Sequence, residues 1–138
     1  MNPKDLAALG RVPLHLIPAA GRIHGALACL DGAYVKGYGP YNWREKPISY
    51  MGYLGAISRH VDCLIDREEI AHDSGVHHLG HINATTAILL DAALHGTLID
   101  DRPAVPSAEN CNARLLEQLK KHCEQRREQI AKRESGST

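Results

Sequence analysis

The sequence predicts an all-α protein of about four helices. Three separate stretches repeat apolar residues at three- and four-residue spacing, and no run alternates apolar and polar residues over a convincing strand length. The link EIAHDSG between the second and third stretches is short, which forces those two helices into an antiparallel hairpin.

Residues 1–13 read as a flexible or loosely docked arm. Pro18 stands where a first-turn proline belongs, and Ile23, Ala26, Leu27 and Leu30 then give a helix of about four turns ending near Gly32. The segment from 32 to 47 contains GAYVKGYGPYNW and has no helical or strand period, so it is a loop. Long ordered loops in small domains tend to carry function. Ser49 can cap a second helix, in which Leu54, Ile57, Val61, Leu64 and Ile65 keep helical spacing, so that it runs from roughly 49 to 68. Asp73 or Ser74 caps the third, which continues to Gly96. After DDRPAVPS, Ser107 caps a charged helix whose Leu115 or Leu116, Leu119, Cys123 and Ile130 form a narrow apolar stripe suited to another subunit or to the bundle edge. The expected organisation is an arm (1–13), a core (14–100), and a linker with a charged, oligomerising helix (101–138).

The chain has 138 residues, enough for one domain that buries a core without disulfides. Its formal charge is zero, with no basic arm, which excludes polymeric nucleic acid as a partner but leaves a small anion open. Cys29, Cys63, Cys111 and Cys123 lie far apart, matching neither a zinc knuckle nor a secreted disulfide framework. The N-terminus lacks a signal-peptide core, and Asp91 breaks the longest apolar run, so the expectation is a cytoplasmic protein with no membrane segment. Nine histidines and no phenylalanine raise the question of metal or phosphate.

Reflecting the hairpin about residue 71 places His60 level with His81. His78 shares the face of His81, Ser74 and Thr85 extend that stripe, and Arg59 stands beside His60. Nearer the turn, Glu68 and Asp73 flank the connection, with Asp66, Glu69 and His72 close in sequence. A carboxylate pair of this kind suits a hard cation such as magnesium. Glu68 lies eight residues past His60, about 12 Å along a helix, which predicts adjoining subsites and not one coordination sphere. Capping alone would explain Asp73, and a hydrophobic plug would explain Trp43.

The pieces LIPAAGRIHGALACLDGAYVKGYGPYNWR, SYMGYLGAISRH and DSGVHHLGH, in this order, resemble the phage dATP/dGTP diphosphohydrolases of the MazG-like all-α nucleotide pyrophosphohydrolase superfamily. The likeness spans roughly residues 14 to 98. Its elements fall on Gly32, Ala33, Lys36, Tyr38, Gly39, Asn42 and Trp43, then Arg59 and His60, Glu68, and Ser74, Gly75, His78, Leu79 and His81. This chain departs from the pattern by an extra glycine at Gly37, by Arg67 in place of a glycine, and by Ala71 where an acidic residue is common.

The resemblance implies a MazG-like bundle that cleaves a purine deoxynucleoside triphosphate, dGTP ahead of dATP, to the monophosphate and pyrophosphate. It also implies Mg2+ or Mn2+, a dimer or tetramer, and a place in phage nucleotide or 2-aminoadenine metabolism. Glu68, His60 and His81 would be catalytic, and Glu68, Asp73, His78 and His81 would surround the metal. Lys36, Arg59, Tyr38, Asn42 and Trp43 would bind substrate, with cations on phosphate and aromatic faces under the base. Two other readings stand beside it. One is an HD-type phosphohydrolase built on His60, His72, Asp73 and Asp100 or Asp101, and the other is a non-catalytic helical module that binds a nucleotide or dimerises.

Overall fold

The computed structural model describes residues 1–106 and 111–136. They form two units, Met1–Arg102 and Pro103–Thr138. The predicted Ser107 cap lies outside the described residues. The second unit contains one helix, α5 (Cys111–Gly136), along which Leu115, Leu116, Leu119 and Ile130 are exposed.

The first unit is helical, as predicted, with one minimal sheet. It contains α1 (Pro3–Ala8), α2 (Ala19–Leu30), α3 (Tyr50–Ile65) and α4 (His78–Leu94). The arm expected at 1–13 winds into α1 because Asn2 caps it, accepting from the Lys4 amide at 2.9 Å, and Pro3 occupies the first turn. None of α1 is buried. Two short strands, β1 (Ile48–Ser49) and β2 (Leu98–Ile99), pair in parallel with Ile48 opposite Leu98. They tie the entry of α3 to the exit of α4.

α4 packs on both α2 and α3. Against α2 the approach is close enough to need glycine on both helices. A Cβ on Gly80 would stand 2.7 Å from the His24 carbonyl oxygen, and one on Gly25 would stand 2.5 Å from Asn83 Oδ1. Ala28, Val76 and Ala84 form the small core patch beside this crossing. A second patch, Ile48, Leu89 and Ala92, is covered by Trp43, Tyr50, Tyr53, Leu54, Ile57 and Ile88. The core is thus small: seven hydrophobic residues are buried among the described ones, while Ile23, Leu27 and Leu30 on α2 stay exposed.

Three boundaries differ from expectation. α2 ends at Leu30, near the expected Gly32, but the chain does not pass straight into loop: it widens into a π turn over Asp31–Val35, with the Lys36 amide donating to the Asp31 carbonyl at 2.9 Å. α3 starts on its Ser49 cap as predicted but ends at Ile65, not 68. The chain reverses there in a Schellman turn: the Glu68 amide reaches the Cys63 carbonyl at 2.9 Å, the Arg67 amide reaches Leu64, and Arg67 takes a φ of 68°. α4 begins at His78 instead of following Asp73 or Ser74. Gly75, at φ 71°, closes a turn that lets the Ala71 amide meet the Val76 carbonyl, and the His77 ring becomes the cap, accepting from the Leu79 amide at 3.0 Å.

Two substitutions test this frame. Gly80→Ala is expected to lower the urea-unfolding free energy by about 1–3 kcal/mol, since backbone and not a flexible side chain must yield. Arg67→Gly, which relieves a left-handed residue, is expected to raise it by about 1 kcal/mol. Equal stabilities for all three proteins would contradict the geometry.

Candidate active site

The π turn and the loop after it wall a cavity of about 740 Å³, within the roughly 300–1,000 Å³ usual for small-molecule sites. From the loop come Lys36, Tyr38, Tyr41, Asn42 and Trp43, from α3 Tyr53, and from α4 His81, Thr85, Ile88 and Asp91. Four of the five predicted substrate residues therefore line one space. Arg59 does not line it; its guanidinium lies back along α3 beside Gly55.

The extra Gly37 leaves Lys36 in place, because Gly37 and Gly39 absorb the added residue at φ values of 75° and 86°. Lys36 Nζ stands 3.6 Å from Asp31 Oδ2. Asp31 is buried, and that oxygen has no hydrogen-bond partner. A buried acceptor left bare at a cavity wall is a candidate ligand contact.

The aromatic wall is held by Asp91. Trp43 Nε1 donates to Asp91 Oδ2 at 2.7 Å, and the Arg44 guanidinium grips both carboxylate oxygens at 2.9 Å. Arg44 and then Trp43 hold the Asp91 carboxyl well below the usual carboxylate range. Tyr41 leans on Trp43 with ring centroids 5.2 Å apart, and the Arg44 guanidinium lies over the Tyr41 ring, 4.5 Å from its centroid. Trp43 both plugs the second core patch and presents itself to the cavity.

His60 and His81 are level across the hairpin, as the reflection predicts: their rings stack with centroids 4.7 Å apart and planes 5° from parallel. His60 Nδ1 also lies 2.7 Å from His78 Nδ1, so one of these nitrogens carries the shared proton. Burial, followed by the neighbouring His81, His78 and Arg59, pushes the His60 imidazole below its ordinary value. Burial and then Lys36 do the same to His81, whose Nε2 meets Ser74 Oγ at 2.7 Å. Both rings are disposed to stay neutral at neutral pH.

The four residues expected around one metal are not gathered in one cluster. Glu68 sits with His78 and Cys63, whose donor atoms lie within 4.8 Å of one another. His78, then His72 and Cys63, hold the Glu68 carboxyl below its ordinary value. The Schellman turn directs Glu68 to Cys63 and His78, and His78 also meets His60, so that the histidines and Glu68 adjoin without forming one cluster. His81 and Asp73 belong to the other side, where Asp31, Asp73 and Lys36 all act on the His81 charge. Burial opposes ionisation of Asp73, but its own backbone amide, Lys36 and the Ser74 amide outweigh it and lower its pKa.

The HD constellation is not assembled. His72 is 92% exposed beyond the end of α3, whereas Asp101 binds Ser49 Oγ and the Met51 amide at its start, and Asp100 is occupied by Arg102.

Residues 1–102 match the family described as dATP/dGTP diphosphohydrolase, N-terminal. The chain belongs to this family. The match covers the whole first unit, Met1–Arg102. No curated protein and no solved structure matches the chain. The dATP/dGTP diphosphohydrolase family gives a general activity, hydrolysis of deoxynucleoside triphosphates. Among the described residues no helix is long and apolar enough to cross a membrane.

Sequence reasoning missed three residues of this diphosphohydrolase. Asp31 could have been noticed as the one acid closing the stretch IHGALACL, whereas Asp91 is legible in the sequence only as the break in the longest apolar run and not as the anchor of Trp43. Cys63 follows His60 at a helical i+3 and so shares its face.

The depressed histidines give this diphosphohydrolase a pH signature. A histidine whose folded pKa lies below its unfolded value of about 6.5 binds fewer protons folded than unfolded, so its stabilising effect is complete above pH 6.5 and is lost as pH falls from there through the lower folded pKa. Urea unfolding in the presence of a chelator is expected to show stability falling below pH 6.5, above the carboxylate window, with a shallower fall in His60→Gln. Stability that rises on acidification from pH 7 to 5 would contradict the neutral pair.

Proposed function

We propose that the cavity hydrolyses a purine deoxynucleoside triphosphate, dGTP ahead of dATP, to the monophosphate and pyrophosphate. The observation that carries this reading is the lining of one cavity by an aromatic, amide-bearing loop (Tyr38, Tyr41, Asn42, Trp43) together with Lys36, Asp31 and His81. The aromatic faces suit a base, the Asn42 amide offers a donor and an acceptor to a purine edge, and Lys36 suits phosphate. His81, disposed to stay neutral, is suited to take a proton from the attacking water as the new P–O bond forms and pyrophosphate leaves.

We infer a divalent cation for the same region, where the charges of Asp31 and Asp73 both act on His81. Asp31 offers a bare, buried oxygen, and Asp73 a second carboxylate; Mg2+ or Mn2+ bound by one or two carboxylates completes its shell with water and phosphate oxygens. When bound, such an ion supplies charge neutralisation and Lewis acidity. Asp31 and Asp73 would hold it, with Lys36 turning from Asp31 to the phosphates. The dGTP preference and a setting in phage nucleotide or 2-aminoadenine metabolism follow from the motif likeness.

We also infer a homo-oligomer, dimer or tetramer. The exposed α2 residues Ile23, Leu27 and Leu30 and the apolar stripe of α5 support it, since apolar surface on such small cores commonly marks an interface.

A panel of deoxynucleoside triphosphates with magnesium or manganese, followed by product identification, tests the reaction. Monophosphate plus pyrophosphate is expected; inorganic triphosphate plus nucleoside, or binding without turnover, would overturn it. His81→Gln is expected to lower kcat about 100-fold or more, and Asn42→Ala to act mainly on KM. Light scattering is expected to give a dimer or tetramer, and a monomer at working concentration would remove the oligomer.

A further inference from the structure

Behind the His60 ring, away from the cavity lining, Cys63, Glu68 and His78 form a compact group of three metal-capable donors on three differently constrained pieces of backbone. Cys63 lies in the last turn of α3, Glu68 is fixed by the Schellman turn, and His78 is the first residue of α4. Their donor atoms lie within 4.8 Å of one another.

A second observation points to a ligand. His78 is 4% exposed, and its Nε2 has no hydrogen-bond partner. That nitrogen stands 3.4 Å from Glu68 Oε1, close enough to act on the carboxylate but short of a formed hydrogen bond. Two donors each about 2.0–2.1 Å from a tetrahedral ion stand about 3.4 Å apart. The bare nitrogen and the carboxylate are therefore separated by one edge of a metal tetrahedron.

We propose that Cys63, Glu68 and His78 bind a borderline transition-metal ion of the zinc class. A sulfur, an imidazole nitrogen and a single carboxylate select such an ion over magnesium, which wants oxygen alone. A fourth donor would come from the half-exposed side of Glu68, where His72 Nδ1 lies 3.5 Å from the same Oε1, or from water. His60 is the positioning residue. With His78 Nε2 on the metal, the His78 proton sits on Nδ1 and is donated to His60 Nδ1, which fixes the tautomer and orientation of the ligand ring. The ion staples the end of α3 to the start of α4, and the site stands whatever reaction the cavity performs.

Cobalt(II) is the probe. The full chain, stripped with a chelator, is expected to take up one equivalent of Co2+ with the near-ultraviolet absorption of a sulfur-to-cobalt bond. Zn2+ is expected to displace it, and excess Mg2+ to leave it. Cys63→Ser should abolish the band, and the variant with Cys29, Cys111 and Cys123 all changed to serine should keep it. Because Cys63→Ser could disturb folding, His60→Ala gives an independent reading: the band is retained while Co2+ affinity falls about 10- to 100-fold. Zn2+ should also raise the melting temperature of the starting protein, since only the folded chain assembles the three donors. No sulfur-to-cobalt band, a band that survives Cys63→Ser, one lost in the triple-serine variant, or Co2+ affinity unchanged in His60→Ala would overturn the site.

Discussion

The close crossing of α2 and α4 is the constraint on which the rest depends. With no side chain on Gly80, the His24 carbonyl can approach where a Cβ would stand at 2.7 Å, and Gly25 makes the reciprocal space for Asn83. This brings α2 near enough that its continuation, the π turn over Asp31–Val35, delivers Asp31 and Lys36 to a cavity shared with His81 and Thr85 of α4. A bulkier pair at the crossing would part the two walls. The small residues are what let so few buried hydrophobics define a site.

α3 is set against another face of α4, and there imidazoles replace aliphatic packing. His60 stacks on His81, which faces the cavity, and pairs with His78, which faces Cys63 and Glu68. One ring thus joins two chemically different environments, one oxygen-rich and the other holding a thiol. The protonation of His60 is read by both, because its Nδ1 can donate to or accept from His78 while its plane remains against His81.

Much of this was legible in the sequence, and the failures have physical causes. Period and capping placed α2, the Ser49 start of α3 and the antiparallel hairpin, and reflection about the connection brought His60 opposite His81 because helices of equal rise keep register across a turn. The end of α3 was misplaced because Arg67 occupies a left-handed position that a glycine would have announced. The start of α4 was misplaced because Asp73 and Ser74 look like caps, whereas Gly75 turns the chain first and His77 caps instead. The π turn left no compositional mark. The loop's glycines and aromatics did announce the cavity, but the buried Asp31 and the anchoring Asp91 gain their meaning from contacts across the fold, and single-residue patterns do not encode those.

The central claim is that one cavity, between the loop 36–43 and α4, receives a purine deoxynucleotide. The most direct measurement is a crystal structure of the full chain with a non-hydrolysable dGTP analogue and Mg2+. It is expected to show the base against Tyr41 and Trp43, with the phosphates between Lys36 and His81 and the cation on Asp31. A nucleotide bound elsewhere, with that cavity unchanged, would contradict it.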